Sequence, residues 1–133
     1  DPEMTRFMMT VKEAADLVEK AFLIGENGDL LVKKSLACST GDLAKAVCRY
    51  TNLRKDYQTE IIGIRPGEKM HEALLTDEEA AVAGIKGNYV IVSKRRRATG
   101  VAPSTYRSDL AERMTANDVL HLIESVFEEG AES

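Results

Sequence analysis

Capped amphipathic helices that alternate with short apolar segments are the feature that most restricts how this chain can fold. Thr10 precedes Glu13 by three residues, the spacing of a capping box, in which each side chain accepts from the other residue's backbone N–H. The apolar residues that follow recur at helical spacing and predict a helix that ends at about Leu23. Thr115 and Asp118 open a last helix in a similar way.

Short apolar segments between these helices predict strands. They lie at residues 30–32, 59–64 and 89–92. A helix is predicted from about Thr40, a short one over 70–74, and one more helical turn after Thr76. Gly84 and Gly87 are expected to break the chain before the last of these strands. Helices that alternate with short strands predict an α/β domain, in which a small sheet of short strands has flanking helices.

The composition allows a folded domain and argues against two classes of protein. With 44% hydrophobic and 30% charged residues over 133 positions, the chain can bury a core as one domain. The net charge of −4 argues against a dedicated nucleic-acid binder, and no apolar segment approaches the ~20 residues of a membrane span. We expect a single domain over residues 1–133, with an irregular arm at 94–108 and a frayed tail at 128–133.

The two cysteines, Cys38 and Cys48, are too few for a disulfide framework, and no His or Cys stands at zinc-ligand spacing. Free thiols are typical of a reducing compartment. The segment after Asp1 lacks the layout of a signal peptide and reads as the middle of a longer polypeptide. The sequence therefore predicts a cytoplasmic fragment, or a separately expressed domain, without a metal site.

The strongest local feature is the block Arg65-Pro66-Gly67-Glu68-Lys69, which follows the predicted strand at 59–64. Pro-Gly favours a turn, and in open α/β folds ligands bind just beyond the ends of strands. The guanidinium fork of Arg65 suits an anion such as a phosphate, and the Glu68 carboxylate could accept hydrogen bonds from sugar hydroxyls. The alternative is a solvated turn with an incidental ion pair.

Arg6 stands inside an otherwise apolar stretch just before the first helix. An anion bound there would interact favourably with the amides and the dipole at the start of that helix. Alternatively, the stem of Arg6 covers apolar surface while its charged head reaches water.

The run Lys94-Arg95-Arg96-Arg97 is the strongest concentration of positive charge in the sequence. No aromatic residues interleave with it, as a groove for single-stranded nucleic acid would require. The run is therefore predicted to be a solvated basic arm or, alternatively, a contact with the acidic surface of a partner chain.

The sequence shows no self-contained catalytic centre. It contains no glycine-rich dinucleotide loop and no P-loop, and no tyrosine is followed by a lysine four residues later. His71-Glu72 lacks the second histidine of a metalloprotease helix, and His121 is expected at the surface or boundary of the last helix. Neither histidine comes with the partners of a catalytic triad.

Four segments, in this order, resemble the C-terminal part of the capsular-polysaccharide-biosynthesis branch of the extended short-chain dehydrogenases/reductases. They are Met4-Thr5-Arg6-Phe7, Gly28–Val32, Asp42-Leu43-Ala44 and Gly63–Glu72. The resemblance covers about residues 1–92 and returns at Tyr106-Arg107-Ser108, ahead of the last helix. Members of this branch are nucleotide-sugar 4,6-dehydratases and related 4-epimerases that act on UDP-N-acetylglucosamine-type substrates. The resemblance implies the fold of a substrate-binding C-terminal region without its Rossmann half.

The resemblance also implies roles for three residues. In this superfamily the arginine ahead of the helix and the arginine of the RPG block clamp the substrate's diphosphate, and the acidic residue of that block contacts the uridine ribose. These roles fall on Arg6, Arg65 and Glu68. The family's NAD(P) loop and its Tyr-x-x-x-Lys pair have no counterpart in this sequence. NADP or NAD is therefore expected to bind elsewhere in a longer parent protein.

Three functions remain open on these observations. The first is the substrate-binding part of an NADP-dependent UDP-N-acetylglucosamine 4,6-dehydratase, a lyase of surface polysaccharide or capsule biosynthesis. The second is part of a UDP-sugar 4-epimerase of the same family, and the third is a stand-alone, non-catalytic α/β interaction module. The chain alone is expected to catalyse nothing on nucleotide sugars.

The expected partners are a UDP-sugar, the N-terminal Rossmann portion of a parent protein, and a second copy of the chain. The last expectation concerns the first helix and the strand at 30–32, which would complete a cofactor domain in the parent. Without that domain, one apolar face of each element is expected to lack its cover and to seek a partner.

Overall fold

The structure, a computed structural model, describes residues 1–52, 59–93 and 105–131. Its helices are α1 Val11–Ile24, α2 Thr40–Tyr50, α3 Asp77–Ala80 and α4 Ala116–Ala131. Its strands are β1 Thr5–Phe7, β2 Leu30–Lys33, β3 Ala37–Ser39, β4 Ala73–Leu75, β5 Ala83–Lys86, β6 Tyr89–Val92 and β7 Tyr106–Arg107. The predicted α/β class is confirmed.

The seven strands form three small antiparallel sheets rather than one. β1 pairs with β3, β4 pairs with β7, and the third sheet has the order β2-β6-β5. β5 and β6 form a hairpin that turns at Gly87-Asn88, where Gly87 has a φ of +61°. This conformation is easily adopted only by a residue without a Cβ. Gly84, predicted to break the chain, lies instead inside β5 opposite Ile91.

Both predicted capping motifs are confirmed at the helix starts. At α1 the Thr10 hydroxyl accepts from the Glu13 N–H at 3.1 Å, and the Glu13 carboxylate accepts from the Thr10 N–H at 2.9 Å. At α4 the Asp118 carboxylate accepts from the Thr115 N–H at 2.7 Å, and the Thr115 hydroxyl accepts from the Asp118 N–H at 3.3 Å. These bonds satisfy N–H groups that have no partner inside the helix.

Two predictions for the middle of the chain are wrong. Residues 59–64 form no strand, and Ile61 and Ile62 are 68% and 62% exposed. β-Branched residues favour strands only where a neighbouring strand and a packed face receive them, and no such neighbour is present in the described residues. The helix predicted over 70–74 is replaced by β4, because β7 pairs with this segment from more than 30 residues away.

The boundaries of the predicted arm and tail also change. Residues 94–104, with the basic run Lys94–Arg97, lie outside the described residues. The remainder of the predicted irregular arm is not irregular, since it contains β7 and the fully buried Ser108. The tail predicted as frayed from Glu128 is still helical up to Ala131, where α4 ends.

Two hydrophobic clusters hold the sheets and helices together. The first lies between the three-stranded sheet, β4 and α3, and is formed by Val32, Leu75, Ala80, Ala83, Val90 and Val92. The second lies between β3, α2 and α4, and is formed by Cys38, Ala46 and Val119. α1 contributes a buried residue to neither cluster. A 2.6 Å ion pair between Lys33 and Glu13 ties α1 to β2.

Candidate functional site

Three segments of the family resemblance, far apart in sequence, meet at β1. The backbone N–H of Thr5 donates to the Met70 carbonyl at 2.9 Å, and Thr5 and His71 form a parallel bridge. The N–H of Ser108 donates to the Glu72 carbonyl at 2.9 Å, directly after β7. We call this meeting of β1, residues 70–72 and Ser108 the junction.

Arg6 lies on β1 at the edge of the junction, and its side chain is 27% exposed. Its Nη1 donates to the carbonyl oxygens of Thr5 and Met70 at 2.8 and 3.4 Å, and its Nε lies 3.5 Å from a carboxylate oxygen of Glu72. An ion pair this exposed contributes about 1 kcal/mol or less to stability. Within the described part of the chain, Nη2 has no hydrogen-bond partner, so Arg6 retains donors for an anion.

Arg65 and Glu68 lie on an exposed turn, as the Pro-Gly pair predicts. The turn is closed by the Glu68 N–H, which donates to the Arg65 carbonyl at 3.0 Å, and Gly67 at its third position has a φ of +87°. One carboxylate oxygen of Glu68 accepts from the Arg65 N–H at 3.0 Å. The carboxylate therefore stabilises the turn and keeps its other oxygen as an acceptor.

The Arg65 guanidinium makes no hydrogen bond or ion pair with any of the described residues. Its side chain is exposed at the end of a turn whose backbone is fixed by Pro66 and the Glu68 carboxylate. The incidental ion pair considered as an alternative is absent between Arg65 and Glu68, whose carboxylate binds the backbone instead. No contact within the described ranges joins Arg6 to Arg65, although Arg65 begins the segment 65–72 and Arg6 contacts Met70 and Glu72 near its end.

A hydrogen-bonded group of side chains inside the junction was missed by sequence reasoning. The hydroxyls of Thr5 and Ser108, both fully buried, lie 2.6 Å apart, and the Thr5 hydroxyl lies 2.8 Å from Nδ1 of His71. The Ser108 hydroxyl also accepts from the Glu72 N–H at 2.8 Å and lies 3.2 Å from the Thr5 carbonyl oxygen. The available signal was that each of the three residues belongs to a separate segment of the family resemblance.

Tyr106 of β7 packs against β1 next to the junction. Its ring stacks on Phe7 of β1 with the centroids 5.2 Å apart, and its hydroxyl donates to the Ser35 carbonyl at 2.9 Å. Burial raises the pKa of the Tyr106 phenol, so that it remains a neutral donor. The stack and the hydrogen bond fix the end of β7 and hence the position of Ser108.

A cleft of about 540 Å³ opens elsewhere, at the start of α2. It contains none of the three residues that the resemblance assigns to substrate. The Asp42 carboxylate at its wall is already bound by Ser39 and Lys45, at 2.9 and 3.1 Å. We therefore place the candidate site along the segment 65–72 and not in this cleft.

The described residues contain neither a group of metal ligands nor a membrane-spanning helix. Among the described residues, no three His, Cys, Asp or Glu side chains are grouped as metal ligands. Over the same residues, no helix has the length and apolar character to cross a membrane. The sequence contains no glycine-rich loop of the kind that binds the diphosphate of a nicotinamide cofactor.

Comparison with known proteins identifies a family. The family described as "Polysaccharide biosynthesis protein" matches residues 1–94. A UDP-glucose 4-epimerase from Rickettsia bellii is 43% identical over 89 residues, which are 67% of this chain and 26% of that protein. A protein described as an uncharacterized membrane protein from Methanocaldococcus jannaschii is 37% identical over 83 residues, which are 59% of this chain and 25% of that protein. The chain spans about a quarter of the length of these relatives.

A solved structure shares the fold. The X-ray structure of Pen from Bacillus thuringiensis matches 95% of this chain with a TM-score of 0.83 and 29% sequence identity. The matched part is 39% of the Pen chain. The architecture described above therefore occurs in Pen as part of a longer polypeptide.

Proposed function

Because this chain belongs to the polysaccharide biosynthesis protein family, we propose that it forms the diphosphate- and ribose-binding part of a UDP-sugar site. The observation that carries this proposal is the Arg65 turn. A guanidinium without a partner in the described chain is exposed there on a backbone that Pro66, Gly67 and Glu68 fix. Arginine at such a point can donate two parallel hydrogen bonds to a diphosphate.

Arg6 and Glu68 complete the proposed set of residues. Arg6 is held by two backbone carbonyls and by Glu72, which orients the guanidinium and leaves Nη2 for a second phosphate oxygen. The free oxygen of the Glu68 carboxylate is the proposed acceptor for a ribose hydroxyl. Because these contacts already restrict both side chains, substrate binding would cost less side-chain entropy.

The reaction that we propose for the whole protein is 4-epimerisation of a UDP-sugar. The support is that the Rickettsia relatives carry the name UDP-glucose 4-epimerase at 39–43% identity. A 4,6-dehydratase acting on UDP-N-acetylglucosamine is the second candidate, because the block Gly63–Glu72 resembles that branch. In both cases NAD or NADP would supply the oxidation at C4 of the sugar. We propose that residues outside this chain bind that cofactor.

The binding proposal is tested by calorimetric titration of the 133-residue chain with UDP. A charge-assisted contact contributes about 1.5–3 kcal/mol, so Arg65→Ala should weaken binding about ten- to a hundredfold. Arg65→Lys should restore only part of the affinity, because a point charge cannot reproduce a two-pronged contact. Arg49→Ala is the matched control, since Arg49 is an exposed arginine on α2 that bonds Asn117. Equal affinity of wild type and Arg65→Ala would refute the proposal.

The reaction is tested on the whole protein, incubated in turn with UDP-glucose and UDP-N-acetylglucosamine. An epimerase yields the 4-epimer of the sugar, whereas a dehydratase yields a 4-keto-6-deoxy product. NMR of the products separates the two. Conversion of neither substrate would reject both reactions and favour the third sequence prediction, a stand-alone, non-catalytic interaction module.

A further inference from the structure

His71 is the part of the junction that no assigned role explains. Thr5 and Ser108 are fully buried, so a ligand cannot reach their hydroxyls, whereas His71 is only half-buried. Its Nδ1 is bound by the Thr5 hydroxyl, which fixes the plane of the ring. Its Nε2 has no hydrogen-bond partner among residues 1–52, 59–93 and 105–131.

The hydroxyl pair can hold the imidazole in either of two charge states. In one arrangement Ser108 donates to Thr5, and Thr5 donates to Nδ1, so a neutral ring carries its proton on Nε2. In the other, Nδ1–H donates to Thr5, Thr5 donates to Ser108, and Ser108 donates to the Thr5 carbonyl at 3.2 Å. In both arrangements the Glu72 N–H still donates to Ser108. The ring can therefore gain a proton without the loss of a heavy-atom contact, and Nε2–H remains a donor.

We propose that His71 is a further ligand-binding residue of the UDP-sugar site, which donates Nε2–H to an oxygen of the diphosphate, and that Thr5 and Ser108 are its positioning residues. The inference rests on the proposed function. Arg6, the second arginine of the proposed site, bonds the Met70 carbonyl and pairs with Glu72, the two residues on either side of His71.

The probe is UDP-glucose, which carries the diphosphate diester of a UDP-sugar. Calorimetric titration of the 133-residue chain should show UDP-glucose binding about two- to tenfold weaker in His71→Asn than in the wild type. The asparagine amide can replace Nδ1 as the partner of Thr5 but does not reach the position of Nε2. His71→Gln places an amide N–H near Nε2 and should retain more of the affinity.

The controls use the composition of the chain, which contains only two histidines. His121 lies exposed on α4 beside Glu124, and His121→Asn should keep the wild-type affinity. Unfolding midpoints of all variants identify any loss of fold, and His71→Gln provides a second test should His71→Asn be unstable. Wild-type affinity in a folded His71→Asn would overturn the proposal.

The outcomes also separate this inference from the proposed function. UDP-glucose binding that Arg65→Ala weakens and both His71 variants leave unchanged refutes the role of His71 alone. No binding of UDP-glucose by the wild-type chain refutes both proposals. Binding that both Arg65→Ala and His71→Asn weaken, and that His71→Gln weakens less than His71→Asn, is the expected result.

Discussion

The junction and α1 reverse the usual relation between polarity and burial. Thr5 and Ser108 in the junction are fully buried, whereas Val11 and Phe22 of α1 are 85% and 87% exposed. The polar pair is stable inside because each hydroxyl has hydrogen-bond partners from β1 or residues 70–72. The apolar pair is exposed because no described element packs on that face of α1. Burial in this chain therefore depends on which segments meet, and not only on hydrophobicity.

The largest expected effect is the fall in stability when Ser108→Ala removes a hydroxyl from the junction. The change leaves the part-buried Glu72 N–H without its acceptor and the buried Thr5 hydroxyl with His71 as its one remaining side-chain partner among the described residues. Each such group costs about 1–3 kcal/mol, so the free energy of unfolding should fall by about 2–4 kcal/mol. Ser125→Ala removes an exposed hydroxyl that bonds only its own helix, and should cost under about 0.5 kcal/mol. Urea unfolding of both variants measures this difference, and equal costs would contradict the comparison.

The next effect concerns self-association through the apolar face of α1. The wild-type chain should form dimers or larger species at high concentration, since an uncovered apolar face tends to find a partner. Phe22→Lys should weaken this association about ten- to a hundredfold, because burial of a phenylalanine contributes about 1.5–3 kcal/mol. Sedimentation across a concentration series measures the self-association of the wild type and of Phe22→Lys. A wild-type chain that is strictly monomeric at high concentration would show that this face needs no partner.

A smaller effect is expected at the exposed Arg65–Glu68 turn, whose stability depends on backbone conformation rather than on buried side chains. Gly67 has a φ of +87°, and a Cβ there would meet no atom within 4 Å. Gly67→Ala should therefore cost about 1 kcal/mol of unfolding free energy through backbone strain alone. The same variant should bind UDP more weakly, because Arg65 would no longer be held in position. Unchanged stability in thermal unfolding would indicate that the turn is not strained by a side chain.

The smallest effect is the acid sensitivity of the contact between α1 and β2. The hydrogen bond from Lys33, together with that from the Thr10 N–H, lowers the pKa of Glu13. A carboxylate with a lowered pKa contributes stability at neutral pH, and this contribution is lost as the pH falls through about 4. The amount should be under about 1 kcal/mol, because the pair is partly exposed. The free energy of unfolding should change less between pH 7 and about pH 3.5 in Glu13→Gln than in the control Glu19→Gln.

Sequence reasoning located the exposed part of the candidate site more fully than its buried part. Arg65 and Glu68 lie on a turn that four consecutive residues specify, and the structure shows that turn. Thr5 and Ser108 are 103 residues apart, and His71 lies between them in sequence. No local pattern indicates that their side chains meet, so the residues next to His71 in sequence predict no role for it.

Local signals alone determined the helix starts and the turn. Thr10 with Glu13, Thr115 with Asp118, and Pro66-Gly67 act within four residues, where hydrogen bonds and steric limits are independent of the rest of the chain. Tertiary structure decided which segments became strands. Among the residues that the structure describes, no strand pairs with the β-branched segment 59–64, whereas β7 pairs with 73–75. A strand is stable only when another strand accepts its hydrogen bonds and covers its face.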